Sequence, residues 1–125
     1  MGRVLIVDDS EIIRAELESI IRNAGHTPIS AVHGADGLEQ ARKNGPVDLV
    51  ITDFNMPVMN GVEMTQALKG EAAFQSVPFI MLTTENSTEL RKLGLAAGVR
   101  VWIVKPVHAE NLTKVIDKLL QPKAA

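Results

Sequence analysis

Apolar residues in this chain alternate between two textures. Val4–Val7, Val47–Ile51, Phe79–Leu82 and Val101–Val104 are near-continuous apolar runs, the pattern of strands buried on both faces. Thr27–Val32 is a weaker fifth run, interrupted by Pro28 as an edge strand tolerates. Between the runs the apolar period lengthens to that of helices. Ile13, Leu17, Ile20, Ile21 and Ala24 share one face, with Gly25 as a stop. Ala35, Leu38 and Ala41 mark a second helix ending near Asn44-Gly45-Pro46. Gly61 to Leu68 reads as a third. Leu90, Leu93 and Ala97 mark a fourth, ended by Gly98, and Leu112, Val115, Ile116 and Leu119 a fifth. Gln121–Ala125 reads as a tail. Strands alternating with helices predict an α/β fold with a parallel sheet and helices on both faces.

Such sheets put their sites at the carboxyl ends of the strands. The first strand ends in Asp8-Asp9, the third in Thr52-Asp53, the fourth in Thr83-Thr84 and the fifth in Lys105-Pro106. Each has an ordinary structural reading. Asp9 or Ser10 can cap the first helix, Asp53 can open a turn with Asn55 and Pro57, Thr83 can be a strand residue past its end, and Lys105 can be a solvated charge. Together, each at its own strand tip, they predict one rim where three carboxylates, a hydroxyl and an ammonium meet. Crowded carboxylates repel unless a cation joins them. Mg²⁺ takes oxygen ligands and commonly uses one or two carboxylates with waters and phosphate oxygens. The expected chemistry is phosphoryl transfer to a carboxylate, with Lys105 and the Thr83 hydroxyl on the phosphoryl oxygens.

The segments VDD at 7–9, DFNMPVMNG at 53–61, LTT at 82–84 and VKP at 104–106 resemble the receiver domain of two-component response regulators, in its free-standing chemotaxis (CheY-like) form. The likeness covers Arg3 to Leu120. It implies the five-stranded, flavodoxin-like order 2-1-3-4-5 known for that family. It also implies Asp53 as phosphoacceptor, Asp8, Asp9, Asp53 and the Asn55 backbone carbonyl as the Mg²⁺ site, and Thr83 with Trp102 as the switch. A cis Lys105–Pro106 bond follows from the same resemblance. Trp102 is larger than the usual Tyr or Phe, which restricts an inward swing. Thr84 stands where Ala or Gly is usual, and its bulk narrows access to Asp53. The implied partners are a histidine kinase or histidine phosphotransfer protein and a separate downstream target, in chemotaxis or in another phosphorelay or adaptor role. Such a protein accepts a phosphoryl group and loses it to water, and is no turnover enzyme on an external substrate.

Composition narrows this further. The 125 residues fit a single domain, 1–125, and 46% are apolar. Cysteine is absent, which excludes thiol catalysis and Cys-type zinc sites. A net charge of −2, from 13 basic and 15 acidic residues, leaves no footprint for nucleic acid. No stretch nears the ~18 apolar residues of a membrane span, and a signal-peptide core is missing from the start. The expectation is a cytoplasmic monomer. Three other classes share parts of the pattern. A flavodoxin-like cofactor binder needs a Ser/Thr/Gly-rich phosphate loop where this chain is acidic. A haloacid-dehalogenase-like phosphatase needs D-x-D on the first strand, where this chain has Asp8-Asp9-Ser10. A pure interaction module keeps the site without using it. Ile12 lies off the first helix's apolar stripe beside the acids and is a candidate kinase-docking contact. Leu95 is a candidate for the output face. His26, His33 and His108 lack ligand spacing and read as surface residues.

Overall fold

The computed structural model describes residues 2–120; Met1 and 121–125, including the tail read from the sequence, lie outside the described residues. The chain runs β1 (Arg3–Val7), α1 (Glu11–Asn23), β2 (Thr27–Ala31), α2 (Gly34–Lys43), β3 (Leu49–Thr52), α3 (Gly61–Lys69), a short 3₁₀ turn (Ala72–Phe74), β4 (Phe79–Thr83), α4 (Thr88–Ala97), β5 (Val99–Val104) and α5 (Ala109–Leu120). All five strands are parallel, in the order β2-β1-β3-β4-β5. This is the predicted architecture, with Pro28 on an edge strand.

Alternation along each strand feeds two cores. Val4, Ile6, Leu49, Ile51, Ile80 and Leu82 meet Leu17, Ile21, Leu112 and Ile116 of α1 and α5. Leu5, Val7, Val50 and Phe79 meet Ala41, Met64 and Leu68 of α2 and α3. A smaller cluster of Val62, Met81, Ala97 and Val99, with Phe54 and Trp102 against it, seats α4. Full burial of each such side chain contributes about 1.5–3 kcal/mol. Helix starts are fixed by side chains. Ser10 accepts the Ile13 amide, and Asn60 with Glu63 forms a reciprocal capping box, each cap worth about 1 kcal/mol.

Several sequence expectations shift. The third strand begins at Leu49 rather than Val47, because Asp48 turns its amide to the Arg3 carbonyl and its carboxylate to the Arg3 amide. The fifth begins at Val99, directly after the left-handed Gly98; exposed Arg100 had hidden its start. In α2 the buried face is Gly34, Gly37 and Ala41, and Ala35 is exposed. In α4 it is Gly94 and Ala97, while Leu93 is 55% exposed. Both helices approach their neighbours through glycine, which carries no weight in an apolar pattern. His26 is no surface residue. Its side chain is 9% exposed, accepts the Gly2 amide at Nδ1 and contacts Asp117 at Nε2.

Candidate functional site

Strand register sets the site. Val7 pairs with Thr52, and Thr83 with Val104, so the next residues, Asp8, Asp53 and Lys105, emerge on one rim. The ladder runs one step past the strands: the Asp53 amide donates to the Val7 carbonyl and the Lys105 amide to the Thr83 carbonyl.

The structure brings Asp8, Asp9, Asp53 and Lys105 together. Lys105 Nζ donates to Asp8 Oδ2 at 3.1 Å and to Asp53 Oδ2 at 3.3 Å. All three side chains of this bridge are largely buried. Burial alone pulls the Lys105 pKa down; the hydrogen bond to Asp8 and the charges of Asp53 and Asp8 outweigh it and hold the ammonium above the usual lysine value. Asp8 Oδ1 accepts the Ser10 amide at 2.9 Å, and Asp53 Oδ1 the Phe54 amide at 2.7 Å. Ser10, not Asp9, caps α1, which leaves the exposed Asp9 carboxylate turned to the rim.

One carboxylate oxygen each from Asp8, Asp9 and Asp53 lies within 4.8 Å of the others. Opposite ligands of an octahedral Mg²⁺ stand about 4.2 Å apart, twice a 2.1 Å bond. The all-oxygen donor set therefore fits one such ion, with direct ligation by some acids and ligation through water by others. Asn55 is exposed in the loop two residues beyond Asp53. That loop is tightly built. A Cβ on Gly61 would stand 2.2 Å from the Asp53 carbonyl oxygen, so only glycine fits behind the acid. Val58 has φ +70°, is 96% exposed, and sits in a three-residue turn closed by the Met59 amide on the Pro57 carbonyl. A left-handed valine costs roughly 1–2 kcal/mol.

The hydroxyl and the aromatic come from β4 and β5. Thr83 is fully buried, and its Oγ1 accepts the Glu85 amide at 3.3 Å. The Glu85 carbonyl accepts from Trp102 Nε1 at 2.9 Å. The indole is half-buried against the α4 cluster, and a Cβ on Gly94 would meet its Cζ3 at 2.9 Å. Gly94 thus makes the room that a Trp requires. Thr84 is exposed and lines a hollow with Ile13, Glu16 and Lys105. The Lys105–Pro106 bond is cis. Gly94 and Arg14, whose guanidinium reaches the Asp8 carbonyl, were missed in the sequence. Gly94 leaves no apolar signal. Arg14 leaves one in retrospect, as a cation in a helix's first turn, where the macrodipole disfavours it.

Residues 4–117 match the response regulator receiver domain. The chain belongs to this family. It is 34% identical over 119 residues to a chemotaxis protein CheY homolog of Campylobacter jejuni, covering 94% of this chain and 92% of that one. Protein PilH of Pseudomonas aeruginosa is 36% identical over 120 residues, covering 96% and 98%. The crystal structure of chemotaxis protein CheY4 of Vibrio cholerae superposes with a TM-score of 0.91 at 38% identity, covering 96% and 99%. Receiver domains of this CheY-like kind are signalling proteins, not turnover enzymes on an external substrate. They bind Mg²⁺ in their active site, take a phosphoryl group from histidine kinases and act on downstream targets. Among the described residues no helix is long and apolar enough to cross a membrane.

Proposed function

We propose that this receiver domain takes a phosphoryl group from a phosphohistidine onto Asp53 and passes the signal, through Thr83 and Trp102, to a separate partner. The observation that carries the reading is the Lys105 ammonium, bonded at once to Asp8 and Asp53. In the transfer the N–P bond of the donor breaks and an O–P bond to Asp53 forms. Asp53 Oδ1 is held by the Phe54 amide, which fixes the carboxylate for in-line attack. Lys105, charged at any physiological pH, neutralises phosphoryl oxygens at the acid it already touches. Asp8, Asp9, Asp53 and the Asn55 carbonyl would hold Mg²⁺, which when bound would supply further charge neutralisation for the phosphoryl group. The Thr83 hydroxyl is free to donate to a phosphoryl oxygen once that oxygen lies within reach, and in turning it releases the Glu85 amide. Glu85 also holds Trp102 through its carbonyl, so the release reaches the indole and α4. Water later attacks the acyl phosphate and restores Asp53.

The names of the similar proteins favour chemotaxis as the pathway; a phosphorelay or adaptor role is the second reading, and partner profiling decides between them. Kinase docking is assigned to the rim beside Ile12, which is 79% exposed, and output to the α4 side, where Leu93 and Leu95 are exposed. The chain acts as one receiver unit, a monomer in the cytoplasm. The test is incubation with acetyl phosphate or phosphoramidate and Mg²⁺. Mass spectrometry should find one added phosphoryl group, labile to hydroxylamine, on Asp53, and none there in Asp53→Asn. Label that maps to another residue of the wild type refutes the assignment.

A further inference from the structure

Arg14 lies in the first turn of α1, half-buried, and its Nη1 donates to the backbone carbonyl of Asp8 at 2.6 Å. With that contact every polar group of Asp8 is engaged. Its amide donates to Ala31, Oδ1 accepts from Ser10 and Oδ2 from Lys105. Asp9 differs. It is exposed, and among the described residues its carboxylate makes no hydrogen bond or ion pair. The direction of that carboxylate follows from the peptide plane joining Asp8 to Asp9. The Asp8 carbonyl lies in this plane, and Arg14 is the side chain that grips it. A charge-assisted bond of this kind is about twice as strong as a neutral one, which offsets the unfavourable seat of a cation near a helix N-terminus.

We propose that Arg14 is a positioning residue for the cation site, clamping the Asp8–Asp9 peptide so that both carboxylates converge with Asp53 on one divalent ion. The inference rests on the proposed Mg²⁺ role of Asp8 and Asp9. Arg14 has two effects on a bound cation, and they oppose each other. Its positive charge repels the ion, but at the protein surface this is screened within about 8–10 Å at ordinary salt. The clamp acts through geometry, which salt does not screen. Loss of a group that orients metal ligands typically weakens binding about 10–100-fold, so the clamp dominates.

The experiment is a calorimetric Mg²⁺ titration of the wild type, Arg14→Gln, Arg14→Lys, Arg22→Gln and Asp8→Ala, at low and high salt. Arg22 lies in the last turn of the same helix, and its variant removes the same charge far from the acids. Arg14→Gln should bind Mg²⁺ roughly tenfold more weakly than Arg22→Gln, equally so at both salt concentrations. Arg14→Lys keeps a charged donor and should recover part of the loss; it also serves as the folded comparison should Arg14→Gln melt too low to titrate. Unchanged affinity in Arg14→Gln, even with a lower melting temperature, overturns the proposal, because Arg14 would then be structural only. Tighter binding that fades in high salt also overturns it, because charge would be its whole effect. A wild-type titration without heat that Asp8→Ala removes defeats the metal reading itself, whatever Arg14 does.

Discussion

At the tips of β1 and β3 the polar groups are carboxylates gripped by nearby backbone; at the tip of β4 the Thr83 hydroxyl is joined, through the loop that follows, to the indole of Trp102 inside β5. Asp8 and Asp53 each accept an amide one or two residues further along the chain, and Gly61 is wedged against the Asp53 carbonyl. Thr83 also accepts an amide two residues on, that of Glu85, but through a hydroxyl, and the Glu85 carbonyl accepts from Trp102, seventeen residues away. A carboxylate oxygen anchored to a neighbouring amide has little freedom to turn. A hydroxyl gives up one partner for another with a rotation about χ1. One half of the rim therefore holds charge in fixed geometry, and the other can exchange hydrogen bonds and carry a signal outward.

Lys105 belongs to both halves, and its loss should have the largest effect. Lys105→Met removes the cation from the proposed acceptor, and uptake from phosphoramidate should slow on the order of 10²–10³-fold, the usual effect of deleting one preorganised electrostatic donor. The same pair gives a pH signature. The folded-state pKa of Lys105 lies above its ordinary value, so its pairing stabilises fully below about pH 10.4 and is lost as pH rises through the folded value. The melting difference between wild type and Lys105→Met should hold constant to about pH 10 and shrink above it; a difference independent of pH in that range contradicts the pairing.

Gly94→Ala probes the exchanging half. The added methyl meets the indole, and overpacking of this kind costs about 1–3 kcal/mol. Trp102 is the only tryptophan, so its emission should shift as the ring or α4 gives way. Normal melting and normal emission would separate α4 from the indole. Asp9→Ala probes the fixed half. Crowded acids predict stabilisation on removing one, and the Asp9 carboxylate has no hydrogen bond among the described residues, so a gain of about 0.5–1 kcal/mol is expected together with weaker Mg²⁺ binding. Asp8→Ala should gain less, since it forfeits the Ser10 and Lys105 contacts. The smallest effect belongs to Thr84→Ala. Exposed substitutions stay within about 0.5 kcal/mol, roughly twofold in rate, and uptake at Asp53 should rise by about that much. A slower rate removes the argument that Thr84 narrows access.

Most of the fold was legible because a buried parallel strand advertises itself. Val4–Val7 and Phe79–Thr83 are almost wholly apolar, and the carboxyl-end rule then points to Asp8, Asp53 and Lys105. Contacts made by absence were illegible. Gly37 lets Met64 and Val7 close on α2, and Gly94 lets Trp102 close on α4, yet neither adds to an apolar stripe. Leu93 was given the core because leucine is the stronger signal, and the structure turns it outward. Backbone acceptors were also invisible. Arg14 and Trp102 each donate to a backbone carbonyl, which any residue possesses and no motif marks.

The Lys105–Asp8 bond spans 97 residues, and this has a consequence for biosynthesis. A chain emerging from the ribosome carries both acids after β1 well before their cation, which is made 97 residues after Asp8. Translation at about 5–20 residues per second leaves those acids without Lys105 for roughly 5–20 seconds. β5 lies at the sheet's far edge with β4 between it and β3, so the ammonium reaches Asp53 across the tip of β4. A nascent or clipped chain with every residue up to Val104 thus has every strand of the sheet and still lacks the ammonium that the proposed acceptor Asp53 needs.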